Sequence, residues 1–573
     1  MKISTDQWLF RSIQVILIVL LIFGFTIKMG FFSLPGENLD ERSGIISTFA
    51  IIYAVLLALL WIYLRKSPGK DNLQGKYFYL PLNRLLKASR EILSAPFKPR
   101  LSISEKIILF IIFTCGLILR LYFLNQPMRY DESVTAHFFL NVPVLRSFHY
   151  LSTNNHVLHT LAARFFVELF GNYPVVLRLP AFLAGVCCMP LIFYLSRKLY
   201  GSGSGFAAIS LMAVYPMIVL FDTQARGYSM LNLFTLTGIA IGLSIIEKPS
   251  SSKTLLLAIN NALGLLTLPT FIFAAAGLYL WISFVLLGKW YTLSTLLKKM
   301  VVPSGLLLII FTFIFYTPVI ICSQGLGKIL SNTTIKAIPW VEFLNQTPNH
   351  LIYTIDNLQQ GLSNYIGILV SCSSLLGILV ILYKKKRTLF TLIFSFILGA
   401  VIVYFLKHSI PFPRSWVYFL PLTFIVIDAA FSYLSENLKK GLQLTILSIL
   451  TLLVGFAAIH QMQSKTMIYY NDHGVFTEAE QISEYLAQNM RVGDELHYIY
   501  PVEFPVRYYN ERLSSQMKKT DKGEVKFRHF YIYRPDMNEI ENYNKDLVLT
   551  SDTLGRAVIL ISKDDSFTIS RIK

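Results

Sequence analysis

The stretch IILFIIFTCGLILRLYFL (Ile107–Leu124) runs through Asn125-Gln126-Pro127-Met128 into RYDES (Arg129–Ser133). Its first part approaches the length that crosses a hydrocarbon core, about 20 apolar residues. Its second part sets two adjacent carboxylates, Asp131 and Glu132, at the membrane boundary, with Arg129 beside them and Arg120 about one turn inside the helix end. An acid pair in a random loop is ordinarily solvated surface. At a membrane edge a carboxylate stays ionised, meets a cation or a sugar hydroxyl, and can accept a proton. The other polar residues expected on the same side of the membrane decide between these readings.

The chain has 573 residues, of which 54% are hydrophobic, 14% aromatic and only 15% charged, with a mean hydropathy of +0.53. Such values belong to a polytopic membrane protein and exclude an ordinary soluble domain. The net charge of +19 does not point to nucleic acid, because the basic residues gather in short connections between apolar runs. That distribution is the positive-inside pattern of a membrane topology. Cys115, Cys187, Cys188, Cys322 and Cys372 lie in or at the ends of apolar segments without ligand spacing, so they read as packing residues. No small-residue cleavage site follows the first apolar run, which is expected to be a retained helix.

Read in order, residues 1–65 form an N-terminal transmembrane hairpin (about Trp8 to Phe32 and Ile45 to Leu64), and residues 66–106 a basic cytoplasmic segment. Within the latter, Leu80 to Leu93 has helical apolar spacing suited to the membrane surface. The span beginning at Ile107 then runs outward and delivers Asp131 and Glu132 to the outer face. An outer loop over 125–174 follows, whose later part, Val157 to Phe170, reads as a short amphipathic helix along the interface. Further crossings are expected over 175–195, up to Asp222, from Tyr228 to Glu247, 255–268, 271–287, 301–322, 365–383, 389–406, 416–433 and 442–459. Basic clusters such as Arg197-Lys198, Lys384-Lys385-Lys386-Arg387 and Lys439-Lys440 mark the inner side, and the region between Ser323 and Gly361 is expected as a long outer loop. The total is about 13 crossings, with alternating sidedness throughout. Residues 107–460 are thus expected to form one transmembrane domain. Residues 461–573 are mixed polar, with strand-like runs at 495–500, 527–533, 547–550 and 557–562. A helix is expected over Thr477 to Asn489 with Thr477 and Glu480 spaced as a capping box. The fold class expected is therefore an all-α polytopic membrane protein with a small extracytoplasmic α/β domain at its C-terminal end.

All ten histidines fall on the outer side or its boundary. Those of the tail are ordinary outer-loop polar residues. His156 and His159 stand apart, because they follow Asn154-Asn155 at the mouth of the interfacial helix and share a loop with Asp131 and Glu132. Their i, i+3 spacing suits zinc, but no third ligand stands at a set spacing, so contact with hydroxyl or phosphate is preferred. Arg178, Arg226 and Arg414 each open an inward-going segment on the outer face, with Asp222 and Tyr228 flanking Arg226. Any one could simply extend to the headgroup region. Together they make a positive pocket opposite the acid pair, suited to an anionic phosphodiester. Sugar transfer from a lipid phosphate requires a base for the acceptor and cations for the departing phosphate.

The order of Leu119-Arg120-Leu121-Tyr122, Asp131-Glu132, Asn155-His156-Val157-Leu158, Phe170-Gly171, Leu177-Arg178-Leu179-Pro180, Ala225-Arg226-Gly227-Tyr228 and Pro413-Arg414 resembles the GT-C membrane glycosyltransferases. The resemblance, over roughly residues 107–433, is to the branch of the protein O-mannosyltransferases and lipid A aminoarabinose transferases. It implies inverting transfer from a polyprenyl-phosphate sugar donor to a protein or glycolipid acceptor at the outer face of the membrane. An outer face without disulfides and a compact chain point to a bacterial inner membrane as the setting. The resemblance further implies that Asp131 acts as base or acceptor orienter with Glu132 in support, and that Arg226 and Arg414 hold the donor phosphate. A divalent cation between Asp131 and Glu132 is compatible with it. The chain departs from the family pattern where His156-Val157-Leu158 stands for His-Pro-Pro-Leu. It departs again at Leu268 in Thr267-Leu268-Pro269-Thr270, where some relatives carry histidine, and this counts against a carried-over metal site. A transporter or flippase of lipid-linked sugars is the rival class, and a lipid-linked glycan polymerase or ligase would share the donor chemistry. Transporters place functional charges near the midplane and often show repeated halves with broken helices. Here the polar constellation lies at one face, and Asp428, the clearest charge within a span, sits near the cytoplasmic end with a structural or surface-seeking role.

Overall fold

Ser102 starts the helix Ile103–Leu124 with a reciprocal cap: its hydroxyl accepts from Glu105 N–H, and the Glu105 carboxylate accepts from Ser102 N–H. The computed structural model describes residues 82–97, 101–323 (except 151, 202, 290, 291 and 297–299), 325, 329, 337–464, 476–513 (except 492) and 528–571 (except 542–547 and 564–567). The expected N-terminal hairpin and most of the basic segment lie outside these residues. Along helix 103–124 the buried positions Ile108, Ile112, Gly116, Leu119 and Phe123 form one stripe of a 3.6-residue period, with Arg120 and Leu124 buried beside it. Ile107, Phe110, Ile111, Ile118 and Leu121 are exposed and face where lipid would be. At Gly116 a Cβ would stand 2.8 Å from the Ala213 Cβ, so the backbones of two helices meet there.

Among the described residues nine helices are long and apolar enough to cross a membrane, from Ile103–Leu124 to Lys440–Ser464. Two further expected crossings take other forms. Ser251–Thr267 is a helix of 17 residues. The segment ending at Asp222 is broken into Phe206–Val214 and Pro216–Asp222, with Tyr215 extended between them. Pro216 has no N–H to continue the first helix and pushes the residue before it out of the helical region. The expected interfacial helix is found over Val157–Phe170. The surface helix of the basic segment is found over Leu82–Ser94, burying Ala88 and Ile92.

The region 323–361, expected as an outer loop, contains the helix Trp340–Leu358. Phe343, His350, Thr354 and Asn357 form its buried side, a helical spacing that the surrounding polar residues disguise in the sequence. Asp428 does not seek the surface. It is fully buried, and its carboxylate accepts from the N–H groups of Gly205 (2.7 Å), Ala207 (3.0 Å) and Ala208 (3.3 Å), capping helix 206–214.

The C-terminal part folds as a four-stranded sheet in the order β1-β2-β5-β4, with β1 Glu495–Tyr498, β2 His529–Tyr533, β4 Val548–Leu554 and β5 Ala557–Ser562. Strands β1 and β2 are parallel and the other pairs antiparallel. A second ribbon pairs β3 Asn538–Glu541 with β6 Thr568–Arg571, neither of which the sequence reading anticipates. The helix expected from Thr477 runs over Ala479–Asn489 and has no side-chain cap. Its start falls too late for the Thr477/Glu480 box, and Glu478 instead accepts from Arg556 N–H and its guanidinium. Helices 479–489 and Glu503–Leu513 cover one sheet face. Their apolar side closes a single core with Met128, Ala136, Leu140, Ala163, Leu177 and Ala225 of the membrane part. The residues flanking Asp131 are therefore packed against the tail.

Candidate active site

Glu132 organises the region. It lies in the short helix Tyr130–Thr135 and is 1% exposed. Arg178 meets it bidentately, Nε to Oε1 at 2.9 Å and Nη2 to Oε2 at 2.8 Å. The remaining lone pairs accept from Ala225 N–H (2.5 Å) and Arg129 N–H (3.0 Å). Burial alone would raise this carboxyl's pKa, but the Arg178 charge and these hydrogen bonds outweigh it and hold the pKa below the ordinary value. Arg178 also donates to the carbonyl of Leu124, which the helix C-terminus leaves without a partner, and to those of Gln126 and Pro127 in the turn that follows.

One turn below, Arg120 and Asp222 form a second ion pair at 2.7 Å, both side chains fully buried. Arg120 donates to the carbonyls of Met212 and Ala213, which lie at the break before Pro216. The Ser229 hydroxyl donates to the other Asp222 oxygen at 2.5 Å. At Gly185 a Cβ would overlap the Asp222 carboxyl at 2.1 Å, so only glycine fits beside it. Arg178, Asp222 and Glu132 are thus occupied in scaffold pairs rather than presented to a ligand.

Because Glu132 binds the Ala225 amide, the residues adjacent to each in sequence, Asp131 before Glu132 and Arg226 after Ala225, come together. Asp131 Oδ2 lies 3.6 Å from Arg226 Nη2 and 3.2 Å from Arg414 Nη1. The Asp131 side chain is 35% exposed, Arg414 18% and Arg226 3%, so the carboxylate stands at the open end of a cationic recess. Both guanidinium groups lie about equally far from the Tyr228 ring, at 5.9 and 6.0 Å. Asn154, which the sequence reading did not single out, ties the group together. Its side-chain and main-chain oxygens accept from Arg226 Nη1, and its amide donates to the Asp131 carbonyl. An asparagine in a polar loop carries no sequence signal for such a bridge.

His156 Nδ1 accepts from Gly227 N–H at 2.7 Å, which fixes its neutral form, and its ring meets Tyr228 edge-on at 5.0 Å. Burial first, then Arg226, His159 and Arg414, push its pKa well below the ordinary histidine value. His159 is also buried, and burial with the Arg226 charge lowers it to about 3. Neither His159 ring nitrogen has a hydrogen-bond partner among the described residues. Asn155 donates to the carbonyls of Ser147 and His149 and accepts from the Thr160 hydroxyl, so it shapes the loop. Tyr130 is clasped edge-on by Tyr500 (5.3 Å) and Phe504 (5.4 Å) of the tail. Burial, with nearby Glu503, Tyr500 and Asp131, raises its hydroxyl to about 12 and keeps it protonated.

For a cation the acid pair offers one carboxylate rather than two, since both Glu132 oxygens already have partners. A cavity of about 440 Å³ lies behind the recess, between residues 125–127, the start of helix Pro174–Leu199, and Glu480, Tyr509 and Arg512 of the tail. Neither Asp131 nor the two arginines line it. The recess itself joins an exposed carboxylate to two fixed guanidinium groups, an arrangement suited to an anion beside a proton acceptor.

Residues 156–321 match the family described as Dolichyl-phosphate-mannose-protein mannosyltransferase. This stretch contains His156, Arg178, Asp222 and Arg226, while Asp131 and Arg414 lie outside it. Comparison with curated proteins finds no match. Among solved structures, the fold is similar to ArnT from Cupriavidus metallidurans in the apo state, with TM-score 0.53, 11% identity, and coverage of 80% of this chain and 98% of that one. The same protein bound to undecaprenyl phosphate gives TM-score 0.49 at 11% identity, covering 81% and 99%. Arabinosyltransferase EmbB from Mycobacterium smegmatis gives TM-score 0.34 at 12% identity, covering 75% of this chain and 45% of that one.

Proposed function

We infer that the chain, a membrane glycosyltransferase of the GT-C type, moves a sugar from a polyprenyl-phosphate donor to an acceptor hydroxyl or amine at the outer face of a bacterial inner membrane. The observation that carries this reading is the Asp131 carboxylate standing between Arg226 and Arg414 at the open edge of the bundle. The printed name of the matching family, a transferase acting from a dolichyl phosphate sugar, supports the donor class.

In this reading the donor phosphate takes the guanidinium groups that now face Asp131. A carboxylate released from two cations is a stronger proton acceptor than one held by them. Donor binding therefore readies Asp131 to take the acceptor proton while the acceptor attacks the anomeric carbon. The bond from that carbon to the phosphate oxygen breaks with inversion, and the arginines stabilise the departing lipid phosphate. The neutral His156 and the protonated Tyr130 hydroxyl are available as uncharged donors to sugar oxygens. Glu132, Arg178, Arg120 and Asp222 hold the recess in shape.

The test is transfer from a labelled polyprenyl-phosphate monosaccharide by the purified protein, beside its Asp131→Asn variant. The variant is expected to fold and bind donor but transfer no sugar. Normal transfer by the variant overturns the role of Asp131. Movement of the donor across vesicles without glycosidic bond formation would instead favour the flippase class.

A further inference from the structure

The edge strand β1 and its neighbour β2 carry a second cluster, remote in role from the recess. Strands β1 and β2 pair in parallel with Glu495 opposite His529 and His497 opposite Tyr531. Partners in register, and residues two apart, share a sheet face. Glu495, His497, His529 and Tyr531 therefore project together, while Phe530 and Ile532 enter the core on the other side. The Tyr531 ring, buried, stacks on His497 at 4.6 Å and 12°, and the two histidine rings lie 5.5 Å apart at 26°. The neighbouring cation, Arg528, is drawn to the opposite face, 5.2 Å from the Phe530 ring, and is held by Asp494 at 2.6 Å.

Three donor atoms converge. His497 Nε2 and His529 Nδ1 are 3.2 Å apart, and Glu495 Oε2 is 3.9 Å from the first and 3.5 Å from the second. A tetrahedral ion with nitrogen and oxygen bonds of about 2.0–2.1 Å separates its ligands by roughly 3.3 Å. The observed triangle lies near that size without rearrangement. Side-chain exposure grades from 12% at His529 through 35% at His497 to 61% at Glu495, which leaves one side open for a water or a fourth ligand. The simpler account of the short distance is one proton shared between the two rings. It explains the histidine contact but not why the carboxylate oxygen lies within 4 Å of both nitrogens.

We propose that Glu495, His497 and His529 bind a divalent transition metal, with zinc the class best matched by two imidazoles and a carboxylate. A metal ion takes imidazole nitrogens that carry no proton, so binding weakens on acidification. It bridges β1, at the sheet edge, to β2, and so stiffens the tail whose helix Glu503–Leu513 packs on the Asp131 loop.

The test is zinc titration of the full-length protein in detergent after chelator treatment, read by a competing colour indicator. One zinc per chain is expected for the wild type and for Asp131→Asn, whose site is separate. His497→Ala and His529→Ala should take up none at the zinc concentration that saturates the wild type. Zinc should raise the thermal midpoint of the wild type and leave those of the two variants unmoved, with all midpoints equal in chelator if the fold is intact. The wild type loaded with cobalt supplies a measurement independent of variant folding: a tetrahedral site gives intense visible absorption. No zinc uptake by the wild type, uptake unchanged by both substitutions, or only the faint colour of aqueous cobalt overturns the proposal.

Discussion

Asp131 and Glu132 are neighbours of the same chemical type with opposite fates. Glu132 is sealed under Arg178 and backbone amides, while Asp131 stands a third exposed between two arginines. Their substitutions should differ in kind. Arg178→Met leaves the Glu132 charge buried and unpaired, which costs about 3–5 kcal/mol. Such a protein should lose its thermal transition in detergent. The double substitution with Glu132→Leu removes both charges and should recover most of the stability. A double variant no more stable than the single one would show that Arg178 acts through the loop carbonyls instead. Arg226→Ala should leave folding largely intact and weaken donor binding by about 1.5–3 kcal/mol, the range for a hydrogen bond to a charged group. That is roughly ten- to 150-fold in affinity, measurable by donor titration. An unchanged affinity would remove Arg226 from the donor site.

Among elements, the break at Tyr215-Pro216 and the cap at Asp428 decide how helix 206–214 sits. Its upper carbonyls are met by Arg120 and its first amides by Asp428, so both ends of a short buried helix are closed by charged side chains. Asp428→Leu leaves those amides without an acceptor, at about 1–3 kcal/mol for each buried group. A lower thermal midpoint is expected, with Asp428→Asn intermediate. If Asp428→Leu melts like the wild type, the cap is not structural. Spans and the interfacial helix 157–170 were legible because length and apolar period are local properties. The recess residues Asp131, Arg226 and Arg414 were legible because their types and sidedness are. Burial is not local, so nothing in the sequence separates Arg178 and Asp222, now sunk in ion pairs, from Arg226. The same limit hid Asn154, helix 340–358 and the docking of residues 503–513, which depend on partners far along the chain.

For the whole molecule, acid should loosen the fold through the histidines beneath the recess. Burial and the Arg226 charge push the folded-state pKa of His159 down to about 3 from an ordinary 6.5, and burial lowers His156 as well. Between those values the unfolded chain binds more protons than the folded one, so stability rises with pH and is lost as pH falls below about 6.5. Each histidine contributes up to about 1.4 kcal/mol per pH unit in that window. Thermal midpoints from pH 7.5 to 5, roughly a 300-fold rise in protons, should fall for the wild type and fall less steeply for His159→Asn. Parallel slopes would show that other groups dominate. The core shared by Met128, Leu140 and Ala225 with Ile482, Val506 and Tyr509 has a further consequence, for biosynthesis. The carboxylate-bearing turn leaves the ribosome hundreds of residues before the segment that completes its packing. A nascent chain halted before residue 476 would hold the Asp131 turn without the helices that brace it, so the recess reaches its final form only once residues 476–513 have been made.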